Sequence, residues 1–295
     1  MTKFVFQYRF LWSVLSLLLA VLCHGAPTAD SLTQEVMTPA QAGRLFLKNT
    51  GNFRDSSMQS SRSLYGKTLT VDFQHGEFRM QHQFHAEEDK MTWEVLTGEI
   101  AGRRGTVSYQ AFDIRPGIVF IMAQPRTSES VALVIDHNRG WAAGFLGRYL
   151  IEQPEGTMDL FPIQGPILEA GNSSSQQPFP SAKDLIGSRF TVVYPNEAAV
   201  YEHIYLNDNY VTWLCHKGTS QGVADTERFH SFKVSDDLYL VAWNEKSAPI
   251  QLSFLFDFKN QQELAALFGY DESRARTVYQ TTFADIPKIT RSVGY

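Results

Sequence analysis

The chain has 295 residues and a formal net charge of −5, with 13% aromatic residues including 21 Phe, and only two cysteines. An acidic balance with no basic stripe repels phosphate backbones, which excludes nucleic acid as an expected partner. Two cysteines cannot supply a disulfide scaffold, so stability must come from an apolar core, and the length is ample for two domains.

Taken in chain order, Lys3 and Arg9 precede an apolar run from Phe10 to Leu22 and the small residues Gly25 and Ala26. This is the pattern of a signal peptide, too short for a comfortable membrane span. It predicts export to a periplasmic or extracellular location, cleavage near residue 25, and no stable membrane anchor afterwards. Cleavage removes Cys23 and leaves Cys215 unpaired. Residues 26–63 read as a lead. Within it Thr38-Pro39 looks like a helix N-cap followed by proline at the first helical position, starting a short helix to about Lys48.

From Thr68 onward, alternation and β-branched or aromatic residues predict strands near 68–73, 77–84, 91–97, 106–114, 118–124, 130–136 and 140–146, and an eighth element between 148 and 163 would close the meander. Tight turns separate them, giving a first antiparallel β-barrel over 64–164. Gly165 to Ala182, rich in Gly, Ser, Gln and Pro, reads as a linker and carries the glycosylation-acceptor pattern Asn172-Ser173-Ser174. A second barrel over 183–295 follows from strands near 189–194, 199–206, 210–216, 227–234, 238–244, 251–256 and 277–283. Leu264, Leu267 and Phe268, spaced by three and four, predict a short helix over 260–268 instead.

The two halves are copies. Leu64-Tyr65-Gly66 with Thr70-Val71 recurs as Leu185-Ile186-Gly187 with Thr191-Val192, and Thr92-Trp93 recurs as Thr212-Trp213. Phe112-Asp113-Ile114 recurs as Phe232-Lys233-Val234, and Val131–Asp136 recurs as Leu252–Asp257. A repeat of about 120 residues is a duplicated domain. The fold class is therefore all-β: two tandem, lipocalin-like antiparallel barrels with short capping helices.

Ile114-Arg115-Pro116-Gly117, Ser130 to Asp136, Arg139-Gly140, Asp237-Leu238-Tyr239, Trp243, Glu245-Lys246 and Phe268-Gly269-Tyr270 resemble the molybdenum cofactor biosynthesis protein F (MoaF) family. The resemblance covers roughly Gly66 to Asp285 and implies an N-terminal and a C-terminal lipocalin-like domain. It supplies no catalytic set and no cofactor.

Barrels of about eight strands can hold one small ligand. One face of the strand 238–244, continued one residue, reads Tyr239, Val241, Trp243, Glu245, where the first copy has Val119, Ile121, Ala123, Pro125. The second copy thus offers an aromatic row ending in a carboxylate, and the first is expected to be apolar and solidly packed. A carboxyl beside Trp is desolvated and its pKa rises, so Glu245 is the candidate general acid or base. The competing assignment pairs Glu245 with Lys246 at a strand end. Tyr201, His203 and Tyr205 share a face that presents an imidazole between two phenols if it points inward; Glu202, Ile204 and Leu206 are the alternative inward set. Trp213 and Trp93 occupy equivalent positions and read as shared core pillars. His230 shares parity with Phe232 and Val234. His82 and His85 point to opposite faces of one strand, so with His75 in a turn they make no metal site. There is no phosphate-cradling Gly loop, no H-E-x-x-H and no C-x-x-C.

The expected function is binding of a small apolar or aromatic ligand, chiefly in the second barrel, by Tyr201, His203, Tyr205, Trp213, His230, Tyr239, Trp243 and Glu245. The alternatives are a barrel enzyme of the decarboxylase, isomerase or cyclase kind using Glu245, and a module that binds other proteins through its outer faces.

Overall fold

The computed structural model describes residues 37–49, 60–150, 157–170, 177–271 and 275–291. The expected signal peptide, most of the lead and the Asn172 acceptor pattern lie outside them. Sixteen strands form two antiparallel meanders in strict chain order. The first comprises β1 (Thr68–Phe73), β2 (Phe78–Phe84), β3 (Lys90–Val95), β4 (Arg104–Arg115), β5 (Ile118–Arg126), β6 (Glu129–Asp136), β7 (Trp141–Leu150) and β8 (Thr157–Pro166). It curls until its ends meet at a single antiparallel bridge, Val71 to Ile167.

The second comprises β9 (Ser188–Val193), β10 (Val200–Tyr205), β11 (Tyr210–Lys217), β12 (Ala224–Ser235), β13 (Leu238–Asn244), β14 (Ile250–Asp257), β15 (Gln262–Asp271) and β16 (Arg276–Arg291). It is a closed barrel, with β16 paired to β9, and closure leaves no open edge.

The helix expected over 260–268 is instead the strand β15, paired along its whole length with β14 and β16. Its reason is burial on both faces. Ala265 faces the lumen, while Leu264 and Ala266 face the other sheet. A strand covered on both sides has no polar alternation, and an apolar run of that kind imitates helical spacing.

The two barrels share a core. Phe112, Phe120, Met122, Val134 and Phe145 on the outer face of the first pack against Phe232, Leu240, Leu255, Leu264 and Phe283 on the outer face of the second. Arg115 fastens the contact. It grips Asp257 with Nε and Nη2 (3.2 and 2.7 Å) and donates from Nη1 to Ser235 Oγ and the Asp236 carbonyl. Burial alone would raise the Asp257 pKa, but donation from Arg115 and Asn260 outweighs it and holds the carboxyl low. Part of the expected linker is structured here as well: Phe179 is buried in the shared core, under the Arg139 guanidinium.

Helix α1 (Pro39–Asn49) sits on one end of the second barrel. Thr38 caps it: its Oγ1 accepts the Gln41 amide, and Gln41 Oε1 accepts the Thr38 amide, the reciprocal bonds of a capping box. Among the described residues no helix is long and apolar enough to cross a membrane.

Candidate functional site

The duplication gives each lumen position a counterpart 120 or 121 residues away, and the strand registers match: His82 pairs with Trp93 as His203 pairs with Trp213. The barrels are therefore one frame filled with two sets of side chains. The second contains Phe190, Tyr201, Trp243 and Phe254 where the first contains Leu69, Met80, Ala123 and Leu133. The cavities follow from those sizes. The second lumen keeps only about 50 Å³, and the first holds about 220 Å³. The expectation that the first copy is solidly packed is thus overturned. Small residues in a frame held open by its own strands leave space, because the backbone ring cannot shrink around them.

In the second barrel the face carrying Tyr201, His203 and Tyr205 points inward, and Glu202 lies outside between Arg189 and His216. Tyr201, His203, Trp213, Trp243 and Glu245 meet around the small cavity, closed above by Ala42, Gly43 and Phe46 of α1. His203 is 4% exposed and ringed by Phe190, Trp243, Phe254 and Phe256 at 5.3 to 5.6 Å. Burial pushes its pKa down to about 3, and its Nδ1 has no hydrogen-bond partner. It is a neutral, aromatic-packed imidazole. Tyr205 lies deeper on the same face, against Phe229.

Two expected members stand elsewhere. Tyr239 starts the inward row at the opposite end of the lumen, where its hydroxyl donates to Asp184. His230 is outside the lumen, because Phe229 and Glu227 take the inward positions of β12; it shares the outer face with Phe232 and Val234. Burial, then Arg228, lowers its pKa.

Glu245 faces the lumen rather than Lys246, which pairs with Asp225 (2.8 Å). Its Oε1 accepts the Trp243 indole N–H at 3.0 Å. Desolvation raises its pKa, opposed by hydrogen bonding from Trp243 and Glu227. Glu227 is fully buried and also raised, by desolvation and then by the Glu245 charge, so the proximity of the two carboxyls disfavours charging both. A third acid, Glu263, was hidden by the helix expectation. It is fully buried in the lumen, accepts the Tyr194 hydroxyl at 3.2 Å, and is pushed up to about 8 by burial.

The first barrel's cavity opens at the corresponding end. Phe73, Phe78, Met80, Met91, Trp93 and Leu133 wall it, with His82 as a polar point and Arg103, Glu129 and Arg148 at the mouth. Burial depresses the His82 pKa to about 4. Trp93 lies flat over Gly105, where a Cβ would come within 3.1 Å of the indole, so glycine is what lets the ring line the wall. Among the described residues a helix covers the second mouth and none covers the first. Leu47 of α1 fits over Gly269, where a Cβ would stand 2.7 Å from it, and the counterpart of Gly269 is Arg148. Sequence reasoning read Trp93 as a core pillar, weighed His82 only as a metal ligand and did not reach Arg103 or Arg148, although the repeat offset that pairs His82 with His203 was available to find them.

Cys215, the free cysteine among the described residues, is buried, and its Sγ contacts the Lys217 carbonyl. Burial raises its pKa, which suits packing better than nucleophilic attack.

Residues 50–150 match the MoaF N-terminal domain and residues 179–292 the MoaF C-terminal domain. The protein MoaF of Klebsiella aerogenes is 32% identical over 177 residues, covering 56% of this chain and 67% of that one. Among solved structures, a Burkholderia vietnamiensis protein crystallised as a candidate beta-lactamase shares 17% identity, with a TM-score of 0.32 over 37% of this chain and 97% of its own. That likeness is too slight to bear on function. Two domain matches, in the order and at the places of the two barrels, establish that the chain belongs to the MoaF family.

Proposed function

We propose that this MoaF-family protein binds a small apolar or aromatic molecule, and that the principal site is the first barrel rather than the second. The observation that carries this reading is the 220 Å³ cavity walled by Met80, Met91, Trp93 and Leu133 and open at one end. An apolar cavity of about 150 Å³ already accommodates benzene, so a body of one or two rings suits this one. A lumen lined by apolar and aromatic groups with a few polar points is the usual composition of a ligand site. It also weighs against a module whose lumens are both filled.

Titration of bicyclic aromatic compounds against the intrinsic Trp fluorescence of the full chain tests the proposal. Saturable responses are expected in the wild type. They should weaken at least tenfold in Leu133→Phe, which places in the first lumen the residue that fills the second. Responses that survive Leu133→Phe unchanged and vanish in Trp243→Phe would return the site to the second barrel.

The buried carboxyls Glu227 and Glu245, both raised by desolvation and the second facing the lumen, support a second reading, acid–base catalysis in the second lumen with Glu245 as the general acid or base and Tyr201 or His203 assisting. A 50 Å³ space admits no substrate beside α1, so this reading requires the helix to leave. Hydrogen–deuterium exchange into a bound ligand, followed by NMR and abolished in Glu245→Gln, is the result it demands. Export with removal of residues near 1–25 remains part of the proposal. It rests on the charged start and apolar run, and the mass of the mature chain recovered outside the cytoplasm checks it.

A further inference from the structure

The charges at the two corresponding mouths are opposite. In the second barrel Asp225, Glu227 and Glu245 occupy the positions held in the first by Gly105, Val107 and Pro125. Conversely, the first carries Arg103 and Arg148 where the second has Val223 and Gly269. In a chain with net charge −5, a cationic rim on the hollow barrel runs against the overall balance.

That rim has cationic capacity to spare. Glu129, the acid lining the cavity, is held by Arg126 at 3.6 Å and only distantly by Arg103 at 3.9 Å. Arg148 pairs with Asp159 at 3.3 Å and lies over the Phe161 ring at 5.4 Å. Among the described residues three guanidiniums thus face two carboxylates, and each guanidinium offers five N–H donors. Leu96, Ile100 and Phe161, each more than 40% exposed, place apolar surface beside these charges. Below the rim the polar groups are uncharged: the His82 imidazole and the Trp93 indole N–H, which is buried without a hydrogen-bond partner.

We infer that the first barrel selects an aromatic acid: a one- or two-ring body between Met80 and Trp93, its carboxylate at the mouth within reach of Arg103 and Arg148. The inference rests on the reading of the first lumen as the binding site and adds the charge of the ligand to it. A cavity with neutral walls and a guanidinium rim rewards an amphiphilic anion, since the ring is removed from water while the carboxylate stays at the wet edge and accepts charge-assisted bonds.

The probes are naphthalene-2-carboxylate, its neutral amide and 2-naphthylmethylamine, titrated into the full chain by Trp fluorescence and by calorimetry. The carboxylate should bind at least tenfold more tightly than the amide, and the amine most weakly. The advantage of the carboxylate should shrink as salt is raised and disappear in the Arg103→Gln/Arg148→Gln double variant, both positions being 40–50% exposed and outside the core. Equal affinities for carboxylate and amide, or an advantage that survives the double variant, would overturn the inference. If the amide then still binds and Leu133→Phe abolishes it, the first-lumen reading stands and only the charge assignment falls. If no probe binds, both fall.

Discussion

The two barrels repeat one backbone plan and have moved in opposite directions from it. The second is closed, crowded with aromatic rings, lined at its mouth by acids and stoppered by α1; the first is joined at one bridge, hollow and rimmed by arginine. The contrast teaches that a lumen is a matter of side-chain volume in a fixed frame. Exchanging Ala123, Leu133, Met80 and Leu69 for Trp243, Phe254, Tyr201 and Phe190 converts space into packing while leaving strand order and register intact. It also separates roles. On the proposed reading, the interior of the second barrel consolidates the structure and the first is the one left to take a guest.

Truncating equivalent pillars should expose that division most strongly. Trp243 is 1% exposed, stacks on Phe254 with centroids 4.5 Å apart and donates to Glu245, so Trp243→Ala opens a void and strands a carboxyl. A loss of about 3–5 kcal/mol is expected from urea denaturation. Trp93 already borders empty space, so Trp93→Ala should cost less, about 2 kcal/mol. Equal losses would show that the first lumen is packed as tightly as the second.

Titration should separate them next, at about 1–2 kcal/mol. The folded-state pKa of Glu263 is raised from 4.5 to about 8, so its contribution to stability is fully present below pH 4.5 and is lost as pH climbs through 8. Glu263→Gln keeps the shape and cannot ionise. Between pH 5 and pH 8 the fall in Tm should therefore be smaller in the variant than in the wild type, by about 4 °C. The histidines act in the other direction. His82 and His203 have pKa values depressed from 6.5 to about 4 and 3, so their contribution is present above 6.5 and is lost as pH falls through those values. Stability should pass through a maximum on the acid side of neutrality. A Tm that rises monotonically to pH 9 would remove the buried acids from the account.

Much of this was legible in the sequence, and the illegible part has a physical cause. Among the described residues, alternation located fourteen of the sixteen strands, because one face of each differs from the other or turn residues bracket it, and closure of the first sheet called for a fifteenth. It failed at β15, which is buried on both sides. The aromatic row from Tyr239 to Glu245 was legible as an inward face, since parity fixes direction once one residue is placed. Its consequence is a matter of size: Tyr201, His203, Trp213, Trp243 and Glu245 do meet around a cavity, of about 50 Å³ against about 220 Å³ in the first lumen. Residue identity gives volume, but whether volume makes a wall or a plug depends on the diameter of the ring around it. Arg115 and Asp257 draw attention as charged landmarks, and they serve the contact between barrels.

A gentler change sharpens the comparison inside the first lumen. Gly105 is the counterpart of Asp225, and its missing Cβ lets Trp93 lie against the strand. Gly105→Ala must push the indole outward by a few tenths of an ångström. Because the ring borders open space it can give way, so the stability cost should stay below about 1 kcal/mol. The displaced ring narrows the cavity, and affinity for a bicyclic ligand should drop several-fold while Tm barely moves. A large fall in Tm with unchanged affinity would mean that Trp93 is locked and does not border the site.

The smallest effect expected is at the stopper. Thr38 is exposed and touches neither lumen, yet its hydroxyl completes the capping box that starts α1. Thr38→Ala should cost about 0.5–1 kcal/mol of helix stability, the ordinary value of an N-cap. Because α1 covers only the second mouth, that cost should be felt locally: faster hydrogen exchange at the α1 amides, with no change in ligand affinity at the first barrel. Ala42, 2% exposed, and Phe46, edge-on to Tyr201 with centroids 6.2 Å apart, anchor the helix independently of the cap, so the plug should loosen without leaving. If instead the loss of one hydroxyl altered binding in the first lumen, the two barrels would have to be coupled through the shared core, and their division of labour would be a single allosteric unit.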